Sequence, residues 1–126
     1  MTADEFRRLA LGLRGSVEGS HQDHPDFRVH GKIFASLGYP EPGWAMVKLT
    51  TVQQSRFIAT HPECFQCVKG AWGRRGATSI NLFAATPSLA RRGLVLAHRN
   101  ILAAQHRPMH KAAEQAAQRP AKRRAS

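Results

Sequence analysis

Hydrophobic residues recur at helical spacing near both ends of this chain and at strand spacing between them, and that alternation most constrains its fold. Phe6, Leu9, Ala10 and Leu13 stand at i, i+3, i+4 and i+7, a core-facing stripe that predicts a helix from about Ala3 to Leu13. Thr2 and Glu5 have the spacing of a capping box, in which hydroxyl and carboxylate satisfy orphan backbone donors reciprocally. Gly12 and Gly15 weaken and then end this helix. Near the other end, Thr86 and Pro87 read as a cap followed by proline at the first helical position. Ala90, Leu94, Ala97, Ile101 and Ala104 then recur at alternating spacings of four and three, which predicts a helix packed on a sheet. Arg91, Arg92, His98 and Arg99 fall off that stripe, and Pro108 is expected to end the helix.

Between the two helices the pattern from Glu18 to Leu49 is β. The segment Phe27 to Val29 and the segment Lys32 to Leu37 flank His30 and Gly31, which suit a tight two-residue turn. The register of this hairpin is open, because a slip of one residue exchanges which of Arg28, Lys32, Ile33 and Phe34 face the core. Two prolines between Tyr39 and Gly43 require a loop. Ala45, Val47 and Leu49 then alternate with Met46 and Lys48. Thr51 and Gln54 read as a second capping box, opening a short helix that Pro62 stops. Cys64 to Trp72 and Ala77 to Phe83 predict a second hairpin with Gly73, Arg74, Arg75 and Gly76 at its exposed tip. The order predicts an α+β fold: an antiparallel sheet with the N- and C-terminal helices on one face and the other face available.

A length of 126 residues, 42% of them hydrophobic, allows one domain with a real core. The longest apolar runs have four residues, far short of the roughly 20 a membrane helix requires. Met1 to Glu5 lacks the basic-then-apolar pattern of a secretory signal, so a cytoplasmic protein is expected. Nineteen Lys and Arg against eight Asp and Glu give a net charge of +11. Six of these bases and one acid lie in residues 107–126, read as a basic disordered tail behind a folded domain of residues 1–106. Because the domain is also cationic, polyanions are the natural partner class.

Enzyme chemistry finds no foothold: there is no phosphate-binding glycine loop, no H-E-x-x-H and no nucleophile elbow, and the carboxylates are scattered. Cys64 and Cys67 have no second pair to complete a zinc site, and are expected to be buried strand residues. His21, Asp23, His24 and Asp26 could crowd a metal, but such a cluster in a loop is more often a hydrogen-bonding corner. No metal and no cofactor is expected.

Two stretches resemble the MmcQ/YjbR family of small bacterial proteins. His24 to Ala35 (HPDFRVHGKIFA) is close to that family's HPDFRV-x-GKIFA hairpin, and Trp72 to Leu82 (WGRRGATSINL) is similar to its WG-x-x-GAT segment. The likeness covers roughly residues 4–106. It departs at Gln22 and Asp23, where the family has an aromatic and a glycine, and in the added basic tail. The resemblance implies a frataxin-like (CyaY-like) fold and DNA binding by two hairpin wings. Frataxin-like metal handling is a weaker analogy, since the first helix carries only Asp4 and Glu5.

The residues expected to contact DNA are Arg28, His30 and Lys32 around the first turn, Lys48 and Lys69 on strands, and Arg74 and Arg75 at the second tip. For Arg28 the competing expectation is an ion pair with Asp26. The glycines beside Arg74 and Arg75 would let the backbone approach a ligand. Trp72 could stack on a base, though a tryptophan before a glycine turn more often packs on the core. Phosphate contacts of this kind would be tolerant of sequence and made by a monomer. The alternative is a non-enzymatic protein-interaction module with an acidic partner on the open sheet face; an apolar patch around Trp44 or Trp72 would favour it.

Overall fold

The computed structural model describes residues 1–118, with side chains through residue 104. In chain order the elements are α1 (Ala3–Leu11), β1 (Val17–His21), β2 (His24–Val29), β3 (Lys32–Leu37), β4 (Trp44–Lys48), α2 (Thr51–Thr60), β5 (Phe65–Cys67), α3 (Ala71–Arg74), β6 (Ala77–Asn81) and α4 (Pro87–Gln118). The six strands form one antiparallel sheet in the order β1-β2-β3-β4-β6-β5. The first four form a meander. The chain then passes through α2 to the far edge, and β6 returns between β4 and β5. This is the expected α+β architecture.

Cross-strand pairing fixes the faces. Phe27 pairs with Ala35, Ala35 with Val47, and Ala45 with Ile80, so these residues share one face. They are buried with Phe6 and Ala10 of α1, Phe57 of α2, and Ala90, Leu94 and Ala97 of α4. The three longer helices therefore seal this face. The capping box of α1 forms as the sequence predicts, with Thr2 Oγ1 accepting from the Glu5 amide and Glu5 Oε1 accepting from the Thr2 amide. The turn at His30 and Gly31 also forms, both residues having positive φ. A second such turn at Gln22 and Asp23, again with positive φ, joins β1 to β2. It falls where the resembling family has a glycine.

A β-bulge settles the open register. Phe27 pairs with Ala35 but Arg28 pairs with Ile33, which leaves Phe34 as the extra residue. Phe34 and Ala35 both join the helix-covered core, whereas Ile33 packs with Met46, Val68 and Ala77 in a small apolar cluster on the other face. No period-two pattern contains that irregularity.

Several expectations change. The second capping box lies one residue earlier: Thr50 caps α2 and Gln53 closes the box. Gln54 is instead buried, its Nε2 donating to the carbonyls of Gly73 and Ala77 at 3.0 and 2.9 Å. The second hairpin has no projecting tip. Its strands pair, but β5 is short and the connection folds into α3, so Arg74 lies in a helical turn and Arg75 caps it. Lys69 lies in the bend before α3 rather than on a strand. Cys64 is buried just before β5, but Cys67 is exposed because β5 is an edge strand.

Helix α4 runs through Pro108 to Gln118. Proline costs one backbone hydrogen bond there, and the Ala- and Gln-rich sequence beyond it favours helix strongly enough to continue. Residues 119–126 of the expected tail lie outside the described residues. His98 is not on the polar side of α4: it stands four residues after Leu94, is buried, stacks edge-on against Phe34 at 5.4 Å and lies 2.8 Å from the Arg14 carbonyl through Nε2. Among the described residues no helix is long and apolar enough to cross a membrane.

Candidate nucleic-acid interface

The sheet face away from the three long helices carries Asp26 and Arg28 on β2, Ile33 and Ser36 on β3, Met46 and Lys48 on β4, and Ala77 and Ser79 on β6, as the registers require. Four-residue α3 lies at its β6 end. Two glycines hold it there. A Cβ on Gly73 would overlap the Val68 carbonyl, and one on Gly76, whose φ is +113°, would overlap that of Leu49. The sequence suggested that these glycines admit a ligand; they admit the protein's own backbone instead.

Trp72 on α3 is 45% exposed, contrary to the expectation that it packs on the core. The Nζ of Lys48 sits 5.1 Å from its ring centroid, a cation–π contact. Burial lowers the Lys48 ammonium below the ordinary lysine range, and the neighbouring Lys32 charge lowers it further. Arg75 joins Lys48 and Trp72 around a shallow hollow of about 160 Å³. On another side of Trp72 is a larger concavity of about 460 Å³. Met46 and Val68 give it apolar surface, His21, His24 and Tyr39 give it aromatic rings, and Lys69 gives it a cation. The rings of His21 and His24, and of His24 and Tyr39, meet edge to face at 6.4 and 6.2 Å.

Charge is distributed unevenly among these groups. Among the described residues the ion pairs between Arg or Lys and a carboxylate are Arg7 with Asp4 and Glu18, and Arg28 with Asp26, which also lies 2.8 Å from His21 Nδ1. Lys32, Lys48, Lys69, Arg74 and Arg75 form none within that set. Arg28 is different. Its Nε and Nη2 reach Asp26 at 2.8 and 3.0 Å, a two-point bond to a carboxylate with no solvent exposure. That arginine is committed to the fold, as the ion-pair expectation held. These bonds, with Arg28 foremost and then His21, keep the Asp26 carboxyl below the usual carboxylate range despite its burial. His30 is exposed at its turn and is not among the residues around Trp72.

The seven sequence-predicted residues thus divide. Lys48, Lys69 and Arg75 line hollows beside Trp72, Lys32 lies within electrostatic reach of Lys48, and Arg74 is exposed on α3. In the sequence Tyr39 reads only as part of a loop, and His21 and His24 as a hydrogen-bonding corner with a metal site as the lesser alternative. Their convergence with Trp72 required the strand order.

No family model matches the chain, and no curated protein does. Among solved structures, the crystal structure of Deinococcus radiodurans protein DR2400, which carries the DUF419 domain, is similar with a TM-score of 0.64. Sequence identity is 16%, over 77% of this chain and 75% of that one. The likeness is one of fold. DUF419 is related to the MmcQ/YjbR family.

Proposed function

We propose that this protein is an MmcQ/YjbR-type, frataxin-like domain of the cytoplasm that binds nucleic acid, with DNA the expected partner, and catalyses nothing. The HPDFRV and WGRRGAT motifs and the DUF419 fold neighbour support the family reading. One observation carries the binding reading: five cations without ion pairs among the described residues gather along the side of the sheet free of long helices, with an exposed tryptophan among them. Cations neutralise phosphates and release condensed counterions, which supplies affinity without regard to sequence. Aromatic faces add stacking that every base can satisfy.

The binding surface differs from a pair of projecting wings. It follows the sheet face and α3, with the β2–β3 hairpin contributing Lys32. Arg28 stabilises the hairpin that presents it. The protein-interaction reading draws on Phe83, which is 89% exposed in the turn after β6. Trp72, however, has Lys48, Lys69 and Arg75 beside it as well as the apolar Met46 and Val68, and these cations favour a polyanion.

The test is fluorescence anisotropy of labelled DNA titrated with full-length protein at several salt concentrations. Wild-type binding should weaken steeply with salt. The Arg74→Ala/Arg75→Ala variant should bind about tenfold more weakly, the combined loss expected of two phosphate contacts. Binding that ignores both salt and these arginines would refute the reading.

A further inference from the structure

We infer that the concavity bounded by Trp72, Tyr39, His21 and His24 takes an unstacked nucleobase, so that the preferred ligand is single-stranded nucleic acid rather than duplex. The inference deepens the nucleic-acid reading and rests on it.

Size and chemistry agree. A volume of about 460 Å³ exceeds what one phosphate fills and falls in the lower range of small-molecule sites, roughly 300–1,000 Å³. Met46 and Val68 supply apolar surface, the aromatic rings supply stacking partners, and Lys69 supplies a positive charge for the adjoining phosphate. The chain of edge-to-face contacts from His21 through His24 to Tyr39 braces those rings against one another. Lys48 and Arg75, beyond Trp72, extend the positive track for a phosphate backbone leading away from the base.

Topology argues against a duplex reader. A duplex keeps its bases stacked and shows only their edges, which a protruding helix or ribbon must enter a groove to reach. Here α1, α2 and α4 as far as Leu102 are occupied with the opposite face of the sheet. On the ligand side α3 has four residues, and the hairpin tip is the two-residue turn at His30 and Gly31. A duplex could lay phosphates on Lys48 and Arg75 while leaving the concavity empty. A single strand fills both.

The experiment compares full-length wild type, Trp72→Ala and Tyr39→Ala for binding to labelled oligo-dT, oligo-U and a DNA duplex of equal length. Both substituted side chains are 45% exposed, so the variants should melt near the wild-type temperature. Single strands should bind about tenfold more tightly than duplex, and each substitution should remove about tenfold of single-strand affinity while changing duplex affinity less than about twofold. In a Trp44→Phe background, Trp72 fluorescence should be quenched by oligo-dT and not by a chain of abasic deoxyribose phosphates. Tight binding of oligo-dT, of oligo-U or of both satisfies the inference, and the comparison tells which sugar is favoured. Equal binding of single strand and duplex, with equal sensitivity to Trp72→Ala, would overturn it and leave phosphate binding standing. No binding of any of the three at low salt would overturn the nucleic-acid reading itself. Binding of an acidic peptide instead would replace it.

Discussion

Asp26 organises the exposed face through one buried carboxylate. It accepts two hydrogen bonds from Arg28 and lies 2.8 Å from His21 Nδ1, so one side chain of its own strand and one of β1 are oriented by the same group. A buried charge without such partners is costly, so removing Arg28 disturbs the fold whatever else its guanidinium contacts. Weak DNA binding by an Arg28→Ala variant would therefore report a damaged hairpin. Asp26→Asn should lower unfolding stability by about 2 kcal/mol, the scale of hydrogen bonds to a charged group. It should also alter the acid limb. The folded carboxyl titrates below its unfolded value, so its contribution is fully present above the ordinary carboxylate range and is lost as pH falls through the lowered folded value. Urea melts across a pH series should thus show wild type losing stability on acidification more steeply than Asp26→Asn. Parallel acid limbs would contradict this account. The Asp26–Arg28 pair could be foreseen from its spacing along a strand; His21 could not, because it joins only once β1 is paired with β2.

At the scale of elements, α2 tests how far local pattern can be trusted. Threonine at both 50 and 51 and glutamine at both 53 and 54 make two capping boxes one residue apart. Local chemistry cannot choose between them. Packing chooses, because Phe57 must face β5 and Gln54 must reach the carbonyls of Gly73 and Ala77. Thr50→Ala should cost about 1 kcal/mol, the usual loss of a helix cap, and Thr51→Ala only a few tenths. Chemical denaturation of the two variants side by side decides it, and the reverse order would mean the helix starts one residue later. The same contrast explains what was legible. The α1 cap, the α4 stripe and the His30–Gly31 turn are short-range features whose chemistry is complete within a few residues. The bulge at Phe34, the inward His98, the folding of the second tip into α3 and the exposure of Trp72 are decided by partners distant in sequence. The candidate site consists almost wholly of this second kind. Its cations were visible as residue types, but their gathering around Trp72 depends on β6 returning between β4 and β5.

For the whole molecule, charge gives the sharpest prediction because counterion release counts contacts. The logarithm of affinity falls with the logarithm of salt by about 0.7 per phosphate neutralised on a single strand. Five cations near the sheet face, without ion pairs among the described residues, then predict a slope of about −3.5 if all engage. Six further basic residues lie in 107–126, and α4 carries the first of them on a continuous helix to Gln118. Two sources of affinity are therefore expected, and each has its own signature. Arg74→Gln/Arg75→Gln should flatten the slope by about 1.4 in the full-length protein. Replacing the six bases of 107–126 by glutamine should flatten it by up to about 4 if they all reach phosphates, yet leave the response to Trp72→Ala intact. The two reductions should add, since separated contacts are independent to first order. A salt titration of the four combinations measures this directly. If neutralising 107–126 abolishes both the slope and the Trp72 effect, the domain surface holds no strand of its own. If the Trp72 effect persists, the distal bases act as a polycation that raises encounter and affinity, while the sheet face decides what is bound.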